Sequence, residues 1–192
     1  QLIYKKSYFI FERLIILNIL VTGSKGFIGK NLISELRNRK ITSHIFEYDI
    51  DSDSAILDKY CAEADIIYHL AGINRPKEES EFMKVNYGLT SVIVNKLKEK
   101  ENTCPVIFSS SIQAELDNPY GRSKRAGEEL LIEYGKQTGA KVLIYRLPNV
   151  FGKWCKPNYN SVVATFCYNI ARNLPIVISD PNRIMKLVYV DD

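Results

Sequence analysis

Three glycines at a fixed spacing constrain this chain most. Thr22-Gly23-Ser24-Lys25-Gly26-Phe27-Ile28-Gly29 follows the apolar run Leu17 to Val21 and opens a stretch of helical periodicity. A strand that runs into a helix through such a turn has the context a dinucleotide fingerprint requires. Gly23 permits the tight turn, Gly26 lets a pyrophosphate approach the backbone, and Gly29 lets helix and strand pack closely. The free N–H groups of the helix N-terminus, with Phe27 and Ile28 in its first turn, then face the phosphate charge. A plain strand-to-helix turn with incidental glycines is the competing reading.

Apolar runs and helical patterns alternate along the rest of the chain. The runs predict strands at 18–21, 44–48, 65–71, 105–109 and 141–147. Between them, helices are predicted at 26–37, 53–61, within 79–100, and at 119–138. Asn118 and Pro119 suit the cap and first turn of the last of these. Alternation of this kind predicts an α/β fold, a Rossmann-like doubly wound parallel sheet with helices on both faces. Past Gly152 the pattern becomes polar and aromatic, with a helix expected at 161–173 and a short strand at Ile176-Val177-Ile178. Residues 17–152 therefore read as an NAD(P)-binding Rossmann domain. Residues 153–192 read as the start of a truncated substrate-binding lobe, because 186–192 looks like a strand leaving into a turn where the sequence stops.

Residues 1–16 have no role in the first strand-turn-helix unit and read as a non-native extension, with a native start near Leu17. Lys5 and Lys6 suit the n-region of a signal peptide, but Glu12 and Arg13 interrupt the apolar run and no small-residue cleavage site precedes the strand. The uncharged stretch from Leu14 to Ser24 is too short to span a bilayer. A net charge of +4, much of it from Lys5, Lys6 and Arg13, argues against a nucleic-acid partner. Cys61, Cys104, Cys155 and Cys167 form no CxxC pair, and with His44 and His69 alone beside them no metal site is expected. Free thiols fit a reducing cytoplasm.

The candidate site assembles from strand ends. The second strand ends in Phe46-Glu47-Tyr48-Asp49-Ile50-Asp51, where a carboxylate can accept hydrogen bonds from adenosine ribose hydroxyls and repel a 2′-phosphate. Asp49 is the first choice and Glu47 the alternative register. The third strand ends in His69-Leu70-Ala71-Gly72, whose small residues would let a cofactor lie across its edge. His69 itself reads as a core histidine bonded to backbone. Asn86, in the following helix, has an amide that could tie neighbouring strands or support a proton relay, or else sits on the helix surface. Ser109-Ser110-Ser111 close the fourth strand on the edge where doubly wound sheets bind ligands. Nine residues on, Tyr120 and Lys124 share one helix face at the i, i+4 spacing. An ammonium beside a phenol favours the phenolate, so Tyr120 is expected to become a usable acid near neutral pH.

These residues, with Arg146-Leu147-Pro148-Asn149-Val150-Phe151-Gly152, resemble the extended short-chain dehydrogenase/reductases, the NAD-dependent epimerase/dehydratase family, over residues 17–192. The resemblance implies that Ser111, Tyr120 and Lys124 are catalytic, that Lys124 reaches the nicotinamide ribose, and that Leu147, Asn149 and Val150 line the nicotinamide pocket. It implies a nucleotide-sugar substrate. Ser109 to Ala114, Asp117 to Tyr120 and Gly152 to Ser161 resemble a narrower group, the bifunctional UDP-sugar epimerase/reductases of capsular polysaccharide precursor synthesis. That group implies reduction of the C4 ketone of a UDP-4-keto-6-deoxy amino sugar with NADPH, a homodimer when full length, and a C-terminal metal-carrying cupin that this sequence does not include.

Two departures qualify what the resemblance implies. The group's basic residues after the second strand are Asp49 and Ile50 here, which points to NADH rather than NADPH. The acid/base pair that 4,6-dehydratases carry after the catalytic hydroxyl is Ile112 and Gln113, which disfavours dehydration. Trp154, Asn158, Tyr159 and Asn160 are candidates for stacking on a base or sugar and for binding hydroxyls or phosphate, or else form an ordinary loop packed on the sheet. A 4-epimerase with retained NAD is the alternative enzyme. A non-catalytic NAD(P)-binding redox sensor is the alternative of another class, although a sensor has no need of the three catalytic residues.

Overall fold

Five of the apolar runs become one parallel sheet. The computed structural model describes residues 16–39 and 43–192, so the expected N-terminal extension lies outside the described residues apart from Ile16. The strands are β1 (Leu17–Thr22), β2 (Ser43–Tyr48), β3 (Ile66–His69), β4 (Val106–Ser111) and β5 (Val142–Leu147), in the spatial order β2-β1-β3-β4-β5. All four pairings are parallel. The crossovers are carried by α1 (Phe27–Asn38), α2 (Ser54–Glu63), α4 (Gly88–Glu99) and α5 (Pro119–Thr138). The order reverses at β1, so the chain leaves β1 and β3 in opposite directions and opens a crevice at their carboxyl ends.

The side-chain period of two explains why this sheet needs helices on both faces. Ile19 and Val21 of β1 pack with Ile33 and Leu36 of α1. Leu20 points the other way, into the larger core built by Ile67, Val106, Phe108 and the helical residues Leu57, Ile93, Leu97, Leu131 and Tyr134. Among the described residues, no helix is long and apolar enough to cross a membrane.

Before α4 the chain makes a short helical turn, α3 (Ser80–Phe82), and then a π-helical stretch, Met83–Tyr87. The π-helical turn carries a buried Asn86. Its amide donates to Ile73 O at 3.1 Å and to Ser123 Oγ at 2.9 Å, and its oxygen accepts from Ile73 N at 2.8 Å. Asn86 therefore ties the loop after β3 to α5, a loop-to-helix tie rather than the expected tie between strands, and it is not on the helix surface. His69 is fully buried, as a core histidine should be, but its ring nitrogens meet the Thr22 and Thr90 hydroxyls and not the backbone.

Past β5 the chain forms β6 (Asn149–Phe151), α6 (Val162–Ile170) and β7 (Leu187–Tyr189), with β6 and β7 paired in a separate parallel sheet. The strand expected at Ile176-Val177-Ile178 does not form. Val177 is 80% exposed and Ile178 61%, and neither pairs with a described strand. β-propensity is realised only against a neighbouring strand and a packed face, and this segment has neither.

Candidate active site

A cleft of about 1530 Å³ opens at the carboxyl edge of the sheet, between the glycine turn and the β6–α6 segment. Its first wall is the turn between β1 and α1. Gly23 stands at φ +69°, in the left-handed region, and its N–H donates to Tyr48 O at 2.9 Å. A Cβ on Gly29 would come within 2.2 Å of the Gly23 oxygen, so the helix approaches the turn more closely than any other residue would allow. Gly26, Phe27 and Ile28 border the cleft; Gly23 and Gly29 lie behind them and shape the turn.

Asp49 sits just past β2 against this turn. Its carboxylate accepts from Lys25 N at 2.7 Å and from Ile50 N at 2.8 Å. Glu47, the alternative, is exposed and ion-paired with Arg37 at 2.7 Å. The structure thus sets Asp49, not Glu47, beside the glycine turn, although Asp49 is not part of the cleft lining. After β3, Leu70 and Gly72 border the cleft, while Ala71 packs behind it against the Gly23 backbone.

Ser111, Tyr120 and Lys124, the expected catalytic residues, all border the cleft. β4 extends two residues past its expected end, so Ser111 closes the strand, and its Oγ accepts from Gln113 N at 3.2 Å. Asn118 caps α5 by accepting from Gly121 N at 2.7 Å, with Pro119 in the first turn, which fixes Tyr120 at the helix entrance. The Tyr120 ring lies 5.7 Å from that of Phe82, and Tyr120 and Ser111 both border the cleft, with the Ser111 hydroxyl near enough to act on the phenol. Ser111 and Tyr120 are therefore brought together as the spacing predicts.

The phenol's acidity departs from expectation. Burial pushes the Tyr120 pKa up from its ordinary value, and the nearby Ser111 hydroxyl only partly offsets that shift. The reason lies in where Lys124 points. Its ammonium is buried, donates to Ser109 O at 2.9 Å and stands 5.0 Å from the centre of the Phe108 ring. Burial brings its pKa down to about 8, opposed by the charge of Glu128. A Cβ on Gly72 would lie 3.0 Å from Lys124 Nζ, so the bare backbone there leaves room for the amine.

The far wall comes from the end of β5 and the segment after it. Leu147, Asn149 and Val150 border the cleft, as do Trp154, Asn158, Tyr159 and Asn160. Trp154 (φ 63°) and Asn158 (φ 52°) are both left-handed, which costs a bulky side chain such as Trp about 1–2 kcal/mol. Asn158 N donates to Thr165 Oγ1 of α6 at 2.9 Å. The Tyr159 ring has Arg75 and Lys156 each 5.5 Å from its centre. Lys25, Lys30, Arg75, Lys156, Arg183 and Lys186 border the cleft along with Lys124, against the single carboxylate of Glu115. A cleft with that balance favours anions.

Several residues that shape the site are not evident from composition or motif. Asn31 on α1 donates to Lys153 O at 2.9 Å and so joins the dinucleotide helix to the far wall. Glu128 lies four residues past Lys124 on the same helix face, a spacing that could have drawn attention to it.

A model of the NAD dependent epimerase/dehydratase family matches residues 19–192. A UDP-2-acetamido-2,6-beta-L-arabino-hexul-4-ose reductase of Pseudomonas aeruginosa is 45% identical over 176 residues, covering 92% of this chain and 47% of the reductase. The capsular polysaccharide assembling protein CapF from Staphylococcus aureus superposes with a TM-score of 0.81 at 48% identity, covering 91% of this chain and 47% of CapF. A UDP-glucuronic acid 4-epimerase from Bacillus cereus, solved with NAD, superposes at 0.80 with 21% identity, covering 91% and 70% of the two chains, and shares the fold. The chain spans about half the length of the reductase and of CapF.

Proposed function

Because this chain belongs to the NAD dependent epimerase/dehydratase family, we propose that it binds NAD(P)H and reduces the C4 ketone of a UDP-4-keto-6-deoxy amino sugar, in synthesis of a surface polysaccharide precursor. The observation that carries this reading is that Ser111, Tyr120 and a buried Lys124 line one basic cleft that begins at the glycine turn. The cradle fits a dinucleotide: Gly29 leaves no space for a side chain, and the α1 N-terminus opens onto the cleft. Two pyrophosphates, one on the cofactor and one on the substrate, would account for the excess of cations.

When bound, the dinucleotide supplies the hydride that adds to C4. The protein's own residues manage the oxygen. Ser111 Oγ donates a hydrogen bond that polarises the carbonyl. The Tyr120 phenol keeps its proton at neutral pH, because burial raises its pKa, and transfers that proton from Oη to the developing alkoxide. The ketone gains hydride and proton and leaves as an alcohol; the tyrosinate is reprotonated from solvent. Lys124, as ammonium, offsets the negative charge on the tyrosinate in the transition state. Asn149, Trp154, Asn158, Tyr159 and Asn160 orient the nucleotide sugar. Leu70, Ala71, Gly72, Leu147 and Val150 border or back the path of the cofactor.

The decisive experiment mixes the purified full-length protein with reduced dinucleotide and a UDP-linked 2-acetamido-4-keto-6-deoxy sugar, since residues 1–192 alone are expected to bind dinucleotide weakly and turn over little. Loss of reduced-nicotinamide absorbance matched by formation of the 4-hydroxy product is expected. Interconversion of 4-hydroxy epimers with no net consumption of cofactor would identify a 4-epimerase instead. Dinucleotide binding with neither reaction would leave a sensor.

Asp49 sets the expected cofactor preference. Its carboxylate, fixed by two backbone N–H groups, suits ribose hydroxyls and repels a 2′-phosphate. The protein should favour NADH, or show a weaker NADPH preference than a basic residue there would give. Asp49→Arg should move the ratio of the two affinities toward NADPH by about tenfold or more, since a repelling charge becomes one that pairs with phosphate. Fluorescence titration of both cofactors measures it, and a strong NADPH preference in the unaltered protein would exclude Asp49 from this role.

A further inference from the structure

Glu128 lies one helical turn beyond Lys124 on α5 and is 3% exposed. Arg146 of β5 grips it from one side, with Nε 3.0 Å from Oε1 and Nη2 2.6 Å from Oε2. Ser110 of β4 donates its hydroxyl to the same carboxylate. The third guanidinium nitrogen, Arg146 Nη1, donates to Glu115 Oε1 at 2.9 Å, at the end of the 3₁₀ turn Ile112–Glu115 that follows Ser111. One carboxylate thus joins α5, which carries Tyr120 and Lys124, to both sides of Ser111.

An ion pair between an exposed Arg146 and a buried Glu128 is a weak source of net stability, because solvent screens one partner and desolvation of the other offsets much of the Coulomb attraction. What this one provides is geometry and charge at the reacting centre. We propose that Glu128 is a positioning residue for that centre: through Ser110 and Arg146 it fixes the strand end that presents Ser111 to Tyr120, and its negative charge faces the Lys124 ammonium. The proposal rests on the reductase reading.

The surroundings of Lys124 leave Glu128 as the acidic group that acts on it. From α5 it meets the charge of Glu128, and from β4 the Ser109 carbonyl and the Phe108 ring. From β3 it meets His69, which burial holds neutral with a pKa of about 3. The Asn86 amide approaches the same point beside Gly72, and Arg146 of β5 stands behind Glu128. Burial favours loss of the Lys124 proton, and the Glu128 charge opposes that loss. Burial also works against ionisation of Glu128 itself, but the hydrogen bonds from Arg146 and Ser110 and the charges of Arg146 and Lys124 together hold its carboxyl below the usual range.

Glu128→Gln and Glu128→Asp separate the two roles. E128Q should lower kcat by about 10–100-fold with the dinucleotide Kd little changed, because Ser111 and Tyr120 lose their alignment. Without the carboxylate, Lys124 gives up its proton more easily, so the alkaline limb of the kcat profile should move about one pH unit lower. E128D keeps the charge on a shorter arm; it should hold the limb at its wild-type position while kcat stays reduced. An E128Q protein that melts like wild type and keeps both kcat and the limb overturns the proposal. If E128Q does not fold, Ser110→Ala becomes the test, since it removes one hydrogen bond and leaves the ion pair. S110A should lower kcat without moving the limb, and an unchanged kcat overturns the proposal. An unaltered protein that binds dinucleotide but reduces no 4-keto nucleotide sugar defeats the reductase reading itself, a result distinct from an active wild type matched by an equally active E128Q.

Discussion

Tyr120→Phe should leave dinucleotide affinity nearly unchanged and lower turnover by about 10²–10⁴-fold, the usual worth of a positioned general acid. The substitution removes one oxygen and little else. The ring contact with Phe82 at 5.7 Å can persist, and the backbone hydrogen bond from Ser123 Oγ to Tyr120 O at 2.7 Å is independent of the side chain. What disappears is the proposed proton donor, the phenol hydroxyl facing the cleft. The raised pKa of the phenol means that it holds its proton at neutral pH, as an acid in the reductive direction must. Steady-state kinetics with a fluorescence titration of the cofactor would measure both effects. Near-normal reduction by this variant removes Tyr120 from the mechanism.

The sheet and its edge were legible in the sequence because they follow from periodicity and from steric requirements that only glycine meets. Val21 and Leu20 alternate across a sheet covered on both faces, and Gly23 and Gly29 mark a turn with no room for a side chain. Tyr120 and Lys124 share a helix face at any burial, so their proximity was readable from spacing alone. Their acidities were not. The sequence shows a phenol near an amine, but the direction of a pKa shift depends on how far each group is withdrawn from water, and that is a tertiary property. Burial prevails at Tyr120 and turns the expected shift around.

Which role Asn86 plays, and the part of Glu128, were illegible for a related reason. The π-helical turn that carries Asn86 has no strong signature in composition, and Glu128 reads as one more carboxylate on a charged helix until Arg146 and Ser110 are seen to enclose it. The false strand at Ile176-Val177-Ile178 shows the opposite error. Its residues favour extended structure, yet pairing is decided by what lies alongside.

His69 provides the other large effect, on stability rather than turnover. Both ring nitrogens are committed in a buried setting: Nδ1 lies 2.7 Å from Thr22 Oγ1 and Nε2 lies 2.9 Å from Thr90 Oγ1. Thr90 donates its own hydroxyl to Asn86 O at 2.7 Å, so it accepts from Nε2–H. Thr22 also receives Ala71 N–H at 3.3 Å and gives its proton to Nδ1. That chain suits one proton per ring. A second would set another donor against Thr22 Oγ1 and bury a cation near Lys124, and burial first, then the Lys124 charge, bring the pKa from 6.5 to about 3. The unfolded chain takes up this proton near 6.5 and the folded one near 3, so between those values the unfolded state binds more protons. Stability should therefore fall as pH drops from 6.5 toward 3, by about 1.4 kcal/mol per unit at the full slope. Between pH 6.5 and 5, before most carboxylates titrate, the loss should reach about 1–2 kcal/mol. Urea midpoints across that window would show it, with His69→Gln as the comparison. The variant will be less stable throughout, because it disturbs a packed polar chain, but its midpoint should hardly change with pH there. Parallel pH dependence in the two proteins would mean that His69 titrates freely in the folded state and is not the buried neutral link between Thr22 and Thr90.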